Sequence, residues 1–321
     1  MQKILITGGC GFIGSHLVEF FLKKKFKVIV LDKKGKRFSP NWLDNHKYKN
    51  LKIHLNNIVN KNTVQKLVKN SDFVIHLAAL ISIPHSYIKP FEHLKTNIIG
   101  TFNILEACKK YNKKCIITSS SETYGSGKIF PMSEKHPLNA QSPYAATKIG
   151  GDQLALSYNK SFDLKVKIIR PFNCFGPRQS TRAVIPTIIT QMLNNKDVVK
   201  IGNSETFRDY TYVEDLCNAY WLLFKSDKGF GQIFNVGTKK TYKIKNIFHI
   251  LKKKLGYKGH LKAENKRVRP KKSEVDKLHC DNRLFVRQFK WKHKNFEQSI
   301  FKTFEWYKKN TKIFKDIEYK I

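Results

Sequence analysis

Short apolar runs alternate with amphipathic stretches along the first half of the chain. The apolar runs predict strands at Lys3–Thr7, Lys27–Leu31, Leu51–Leu55, Asp72–Leu77 and Lys114–Thr118. Helical periodicity between them predicts helices from the glycine-rich segment to about Lys24, over Thr63–Lys69 and over Phe91–Tyr111. A strand, helix, strand order repeated in this way indicates an α/β protein with a parallel sheet and helices on both faces.

The pattern loses its regularity after Arg170, where prolines and glycines mark irregular backbone. Val213–Lys225 and Gln232–Val236 again predict a helix and a strand, and Asn295–Lys309 has helical periodicity. These features predict a first domain over residues 1–170, to which 208–236 return. A smaller, mixed second domain is expected over 171–207 and 237–321.

Composition places the chain among folded proteins: 41% of its 321 residues are apolar. No apolar run reaches the length of a membrane span, and the first residues lack the shape of a signal peptide. Six cysteines without Cys-x-x-Cys spacing are typical of reduced thiols, which favours the cytoplasm. The 61 basic and 24 acidic side chains give a net charge of +37. The lysines are spread along the chain, which favours solvated faces over a nucleic-acid stripe.

Gly8, Gly11 and Gly14 form a GxxGxxG pattern between a predicted strand and a predicted helix. Glycines there allow a tight turn and a close approach to a pyrophosphate at the helix N-terminus. Asp32 ends the next strand, where a carboxylate can bind ribose hydroxyls and repel a 2′-phosphate. This context predicts a Rossmann-type doubly wound domain that binds NAD rather than NADP. Three nearby basic residues weaken that preference, and they are Lys33, Lys34 and Arg37.

Two further segments carry candidate chemistry. Tyr144 and Lys148 are four residues apart and share one face if their segment is helical. We expect the ammonium group to lower the pKa of the tyrosine, so that Tyr144 can take a proton from a sugar hydroxyl. Ser120 offers a hydroxyl for the same substrate oxygen, and Glu122 adds a carboxylate beside it. The hydroxyl indicates oxidation, and the carboxylate indicates a further step after oxidation.

These motifs, in their order, resemble the extended short-chain dehydrogenase/reductase family of nucleotide-sugar epimerases and dehydratases. Within it the chain resembles the NAD-dependent 4,6-dehydratases that act on nucleotide-linked N-acetylglucosamine in legionaminic acid biosynthesis, a route to cell-surface polysaccharide. The stretches that carry this resemblance are His76–Tyr87 (HLAALISIPHSY), Arg170–Gln191 (RPFNCFGPRQSTRAVIPTIITQ) and Arg269–Val275 (RPKKSEV).

The resemblance implies a lyase with tightly bound NAD, a nucleotide-sugar substrate, and no metal, nucleic-acid or membrane partner. It also implies a homodimer formed through the helices near Phe91–Tyr111 and Pro143–Lys160. Tyr144, Lys148 and Ser120 would oxidise carbon 4, and Glu122 would remove the carbon 5 proton as water leaves carbon 6. The implied cofactor-binding residues are Gly8, Gly11, Phe12, Ile13, Gly14, Asp32, Asn57, Ile58, Leu77, Ala78, Ala79, Tyr144 and Lys148. The implied substrate-binding residues are Ser82, His85, Ser121, Asn173, Arg178, Arg208 and Arg269.

The chain departs from the family pattern at three of these positions. Ser121 stands where glucose 4,6-dehydratases have an aspartate, so Glu122 would serve as both base and acid. Asn57 replaces the usual aspartate near adenine, and Ser120 replaces a threonine. A 4-epimerase, which needs no acid–base carboxylate, and a UDP-glucuronate decarboxylase, which has a similar Ser-Glu segment, remain alternatives. A basic nucleic-acid-binding protein on a Rossmann scaffold is a third alternative.

Overall fold

The computed structural model describes residues 1–33, 42–43, 48–194 and 197–314. The described strands are, in chain order, β1 (Lys3–Thr7), β2 (Lys27–Asp32), β3 (Leu51–Leu55), β4 (Phe73–His76), β5 (Lys114–Thr118), β6 (Val166–Pro171), β7 (Cys174–Phe175), β8 (Val198–Ile201), β9 (Phe207–Asp209), β10 (Thr211–Tyr212), β11 (Ile233–Val236), β12 (Thr241–Lys243), β13 (His260–Ala263) and β14 (Lys277–Leu278).

The α-helices follow in the same order: α1 (Phe12–Lys23), α2 (Lys61–Lys69), α3 (Ile83–Ile88), α4 (Pro90–Leu94), α5 (Gly100–Lys110), α6 (Pro143–Phe162), α7 (Val184–Leu193), α8 (Val213–Lys225), α9 (Ile244–Leu255), α10 (Arg283–Phe289), α11 (Phe296–Lys309) and α12 (Thr311–Phe314). A π-helical stretch, Lys95–Ile99, joins α4 to α5. Short 3₁₀ turns lie at Ser121–Tyr124, Asn265–Arg267 and Lys271–Ser273.

Seven parallel strands form the main sheet in the order β11-β6-β5-β4-β1-β2-β3. The chain runs outward from β1 to β3 and then returns to β4 on the other side of β1. The strand order therefore reverses between β1 and β4, and ligands of such sheets bind beyond the carboxyl ends of the strands at this point. The predicted α/β, Rossmann-type fold is confirmed. Its inner strands are mostly apolar because both faces are covered, whereas the edge strand β3 exposes Lys52 and His54.

The second half of the chain divides between this sheet and smaller layers. Residues of α8 and β11 belong to the same buried cluster as β1 and α1, and β11 pairs with β6 at the edge of the main sheet. Smaller sheets pair β12 with β9 and β14, β10 with β7, and β13 with β8. A separate apolar core is formed mainly by α7, α9 and α11. Within the described ranges, we find no helix with the length and apolar character needed to cross a membrane.

The prediction of one regular helix over Phe91–Tyr111 is wrong, because the π-helical stretch interrupts it. The amide of Asn97 turns inward there, accepts from the Leu80 backbone N–H at 2.8 Å and donates to the Leu80 carbonyl at 3.0 Å. It also donates to the Thr147 hydroxyl of α6 at 3.0 Å. The π-helical stretch thus fixes the loop after β4 against the helix that carries Tyr144, as such stretches often do near functional sites.

Candidate active site

The turn after β1 is built for close contact with a phosphate group. Gly8 has φ +71°, and a β-carbon at this position would lie 2.7 Å from the backbone nitrogen of Ala78. Gly11 is the N-cap of α1 and supplies no side-chain cap, while Phe12, Ile13 and Gly14 form the first turn, which lacks acidic residues. The amide groups at this helix start are therefore available to an anion, as in a dinucleotide site.

Asp32 lies at the end of β2, beside this turn. Its carboxylate accepts from the Cys10 N–H at 2.8 Å and from the Lys33 N–H at 2.7 Å. Burial raises the pKa of Asp32, and these two backbone hydrogen bonds oppose that rise. A carboxylate fixed here fits the ribose hydroxyls of an adenine dinucleotide. Lys34 and Arg37, which weaken the preference for NAD in the sequence, lie outside the described residues.

The loops after β3 and β4 close the other side of the candidate cofactor site. The Leu77 and Ala78 N–H groups donate to the backbone carbonyl and the hydroxyl of Thr7, at 3.1 and 3.2 Å, and Ala79 follows them in the same loop. Asn57 uses its side-chain oxygen locally, to accept from the Val59 N–H at 3.1 Å. The Ile58 side chain lies in the core, only 4% exposed, so its backbone is the part that could face a cofactor.

The four candidate catalytic side chains come from two neighbouring elements of the fold. Ser120 caps the 3₁₀ turn that follows β5, and its hydroxyl accepts from the Glu122 N–H at 3.2 Å. Tyr144 and Lys148 lie one turn apart at the start of α6, which Ser142 caps by accepting from the Ala145 N–H at 3.1 Å. The pKa of Tyr144 is shifted by a hydrogen bond from Ser120 and by the charge of Glu122, so both side chains lie near the phenol. The predicted hydroxyl, carboxylate and phenol therefore converge.

The expectation of a lowered tyrosine pKa is wrong for this arrangement. The pKa of Tyr144 is raised to about 12, mainly by burial; the hydrogen bond from Ser120 opposes the rise, and the charges of Glu122 and Asp152 add to it. The ammonium group of Lys148 donates to the Thr118 carbonyl at 2.6 Å instead of the phenol. Burial also lowers the pKa of Lys148 to about 8, against the effect of Asp152. Sequence spacing placed the two groups on one helix face, but it could not show the desolvation that dominates there.

A buried polar network behind these residues was missed by the sequence analysis. Arg170 of β6 donates to Asp152 of α6 from Nε at 3.0 Å and Nη2 at 2.8 Å, and both side chains are 1% exposed. Asp152 also accepts from the Ser119 hydroxyl at 2.7 Å. Nη1 of Arg170 donates to the Tyr124 hydroxyl at 2.9 Å, which donates to Asn235 at 2.7 Å. The network therefore holds both ends of the segment that carries Ser120 and Glu122.

Three predicted substrate residues, two arginines and an asparagine, come from the second half of the chain, and one of them, Arg269, reaches Glu122. Arg208 is buried and donates to the Phe207 carbonyl at 2.9 Å and to Glu274 at 3.3 Å. Arg269 Nη1 lies 3.8 Å from Glu122 Oε1 and 3.8 Å from Glu274 Oε1. Asn173 Oδ1 and Arg269 Nη1 are shielded from solvent without a hydrogen-bond partner in the described part of the chain. Such orphaned polar atoms are expected where a polar ligand completes the site.

The remaining candidate substrate residues have partners of their own. Ser82 caps α3 by accepting from the His85 N–H at 3.3 Å, and His85 Nδ1 lies 3.1 Å from Nε2 of His93, whose ring packs edge-on to Tyr144. Ser121 is buried, 3% exposed. Arg178 is not brought to Glu122: its guanidinium donates to both carboxylate oxygens of Glu19 on α1, at 2.9 and 3.0 Å. The assignment of Arg178 as a substrate ligand stays a prediction.

Comparison with known proteins connects this geometry to a family. The model of the GDP-mannose 4,6-dehydratase family matches residues 5–303. A dTDP-D-glucose 4,6-dehydratase of Dictyostelium discoideum is 38% identical over 265 residues, which are 77% of this chain and 60% of that protein. This chain therefore spans less than two thirds of that relative.

Two further matches cover nearly the whole chain. A putative UDP-glucose 4-epimerase of Methanocaldococcus jannaschii is 30% identical, over 96% of this chain and 99% of that protein. The crystal structure of the dTDP-glucose 4,6-dehydratase of Bacillus anthracis, solved in complex with NAD, superposes with a TM-score of 0.87 at 27% identity. It covers 97% of this chain and 98% of that one. These matches agree with the family, the fold and the cofactor predicted from the sequence.

Proposed function

The chain belongs to the GDP-mannose 4,6-dehydratase family, and from this premise we propose that it is an NAD-dependent nucleotide-sugar 4,6-dehydratase, a hydro-lyase. The observation that carries the proposal is the carboxylate of Glu122 on the same short turn as Ser120, next to Tyr144. Among the protein's side chains, oxidation at carbon 4 needs only Ser120, Tyr144 and Lys148. A positioned carboxylate supplies the acid–base group that elimination of water requires.

The glycine turn, the start of α1 and Asp32 fit a dinucleotide, and they would hold its pyrophosphate and adenosine ribose. Bound NAD supplies a hydride acceptor that oxidises carbon 4 and later returns the hydride to carbon 6. Tyr144 takes the proton of the carbon 4 hydroxyl, and Ser120 donates a hydrogen bond to the carbonyl oxygen that forms. Lys148 supplies positive charge next to the phenol when it leaves the Thr118 carbonyl.

Glu122 performs the second half of the reaction. The carbon 4 ketone acidifies the proton on carbon 5, and the carboxylate removes it while hydroxide leaves carbon 6. The next residue towards the N-terminus is Ser121, which is buried and carries no acidic group. Glu122 therefore also returns the proton to the departing hydroxide, so that one carboxylate is both base and acid.

For the substrate we propose UDP- or GDP-N-acetylglucosamine, on the way to legionaminic acid or a related deoxy-amino sugar. The choice of substrate rests on the three stretches that resemble the N-acetylglucosamine 4,6-dehydratases, and two of these stretches are in contact. The Tyr87 hydroxyl lies 2.6 Å from the Ser273 hydroxyl, which donates to the Gln141 carbonyl at 2.5 Å. The stretch that ends in Tyr87 thus contacts the stretch that contains Ser273, and Arg269 belongs to the second of them.

An epimerase and a decarboxylase remain the competing functions within this fold. A 4-epimerase has no use for Glu122, and a decarboxylase acts on a sugar with a carboxylate at carbon 6. The direct test is incubation of the protein with UDP- and GDP-N-acetylglucosamine, followed by mass spectrometry. Loss of one water without net NADH supports the dehydratase. Unchanged mass with inverted carbon 4, or turnover of UDP-glucuronate with loss of carbon dioxide, refutes it.

The role of Glu122 has its own test in Glu122→Gln. We expect this variant to oxidise the substrate and then stop. Bound NADH, followed by its absorbance at 340 nm, should then accumulate to about one equivalent per site. Glu305→Gln is the matched control, because it removes an exposed carboxylate on α11 and leaves every site residue in place. Normal dehydration by Glu122→Gln would remove the carboxylate from the mechanism.

We also propose that the protein is a homodimer. Several large apolar side chains lie exposed along the α3–α5 region and the end of α6, and they are Ile88, Phe91, Leu94, Ile99, Phe102 and Phe162. Exposed apolar side chains grouped on neighbouring helices favour a protein contact, and a second copy of the chain is the partner that the family resemblance implies. Nucleic acid is a less suitable partner, because the lysines are spread over the chain. Heparin binding that survives moderate salt would favour that alternative.

A further inference from the structure

The candidate base and a candidate phosphate ligand are in contact with each other. Arg269 Nη1 lies 3.8 Å from Glu122 Oε1, and the two side chains are 25% and 12% exposed. The distance is too long for a hydrogen bond, and Nη1 has no hydrogen-bond partner in the part of the chain that the structure describes. The guanidinium thus faces the carboxylate with an unused donor.

Arg269 faces a second carboxylate that is held more firmly. Glu274 Oε1 is also 3.8 Å from Arg269 Nη1, but it accepts from Arg208 Nη2 at 3.3 Å. The backbone of Glu274 is fixed as well, since its N–H donates to the Pro270 carbonyl at 3.1 Å and its own carbonyl accepts from Gln141 at 3.4 Å. If Arg269 moved, Glu274 would keep Arg208, whereas Glu122 would lose this ion pair.

We propose that Arg269 exchanges one anion for another: it holds Glu122 in the empty site and transfers to the diphosphate of the nucleotide sugar when substrate binds. This inference rests on the proposed function. A guanidinium binds a diphosphate through two parallel hydrogen bonds, which are stronger than its loose contact with a partly exposed carboxylate. Arg269 is then a positioning residue that couples occupation of the nucleotide site to the freedom of the base.

The exchange has a chemical consequence. The ion pair with Arg269 restrains where the Glu122 carboxylate lies in the empty site. Once Arg269 is on the diphosphate, the Glu122 carboxylate is free to turn towards the carbon 5 proton. The carboxylate therefore becomes a competent base where a nucleotide sugar is present, and it stays paired where the site is empty.

The exchange predicts competition between Glu122 and the diphosphate for Arg269. The test is a double-mutant cycle of UDP and GDP binding to the NAD-loaded protein by isothermal titration calorimetry. We expect Glu122→Gln to tighten binding of the preferred nucleotide by about twofold to fivefold, the range of a partly exposed ion pair. In an Arg269→Ala background the same substitution should leave Kd unchanged. Glu305→Gln, an exposed acid on α11, is the control for overall charge and should have no effect in either background.

Equal tightening in both backgrounds would overturn the exchange, because it would show simple repulsion between Glu122 and the nucleotide. Unchanged or weaker binding by Glu122→Gln alone would overturn it too. If Arg269→Ala does not fold, the cycle is measured in Arg269→Lys, where we expect a smaller gain than in the native background. If the protein forms the dehydrated product but the cycle shows no coupling, the exchange alone fails. If neither UDP nor GDP binds, both the exchange and the proposed function fail.

Discussion

The hydroxyl of Tyr124 offers a way to perturb the active-site segment without touching a reacting group. It accepts from Arg170 Nη1 at 2.9 Å and donates to Asn235 Oδ1 at 2.7 Å. Tyr124→Phe removes this one oxygen and keeps the ring, over which the Arg170 guanidinium lies with its central carbon 4.9 Å from the centroid. The substitution therefore isolates the hydrogen bonds from the packing.

The expected loss of stability comes from the two polar groups that lose their hydrogen-bond partner. Arg170 is 1% exposed and Asn235 is fully buried, so water cannot replace the missing oxygen. A buried polar group left unsatisfied costs about 1–3 kcal/mol, and the substitution leaves two of them, so we expect a loss of about 3 kcal/mol in unfolding free energy. Because Tyr124 ends the turn that begins at Ser121, we also expect slower dehydration with little change in substrate KM.

The assay is urea unfolding followed by intrinsic fluorescence, together with the rate of dehydration. Tyr158→Phe is the matched control, since its hydroxyl donates to Glu106 at 2.6 Å, and that carboxylate is 29% exposed and can be rehydrated. We expect this control to lose about 1 kcal/mol or less and to keep its activity. If Tyr124→Phe is no less stable than Tyr158→Phe, the network does not hold the turn and the reasoning is wrong.

Three further predictions follow from the site. Gly8→Ala should abolish NAD binding in a fluorescence titration, because Gly8 has φ +71° and an added β-carbon would clash with the Ala78 nitrogen. Gly256→Ala is the control and should bind NAD normally, because a β-carbon there meets open space. With a pKa of Tyr144 raised to about 12 and a pKa of Lys148 lowered to about 8, kcat/KM should rise with pH until Lys148 loses its proton near pH 8. Lys148→Met should lower kcat/KM at every pH, because oxidation needs this lysine, and the residual activity should lack the break near pH 8; an unchanged pH profile would contradict the assignment. Phe102→Asp should convert the proposed dimer to a monomer in size-exclusion chromatography, and an unchanged elution volume would contradict an interface at this position.

Much of the first half of the fold could be predicted from the sequence, because parallel strands buried on both faces are uninterrupted apolar runs. The predicted ends of β1, β3, β5 and α8 agree with the structure. The second half was harder to predict, since β7, β9 and β10 are only two or three residues long and have no measurable period. The π-helical stretch was missed because its cause, the amide of Asn97 on Leu80, is a contact 17 residues away in sequence.

Within the site, the sequence by itself determined which chemical groups are present: the glycine turn, Asp32, and the serine, glutamate, tyrosine and lysine of the two motifs. Motifs of this kind depend on short spacings, which the chain fixes locally. Only the tertiary structure decided how these groups act on one another. Burial, not Lys148, sets the pKa of Tyr144, Arg178 pairs with Glu19, and Arg269 faces Glu122 across 147 residues of chain. Desolvation and long-range ion pairs depend on what packs around a group, and no local pattern of residues encodes that.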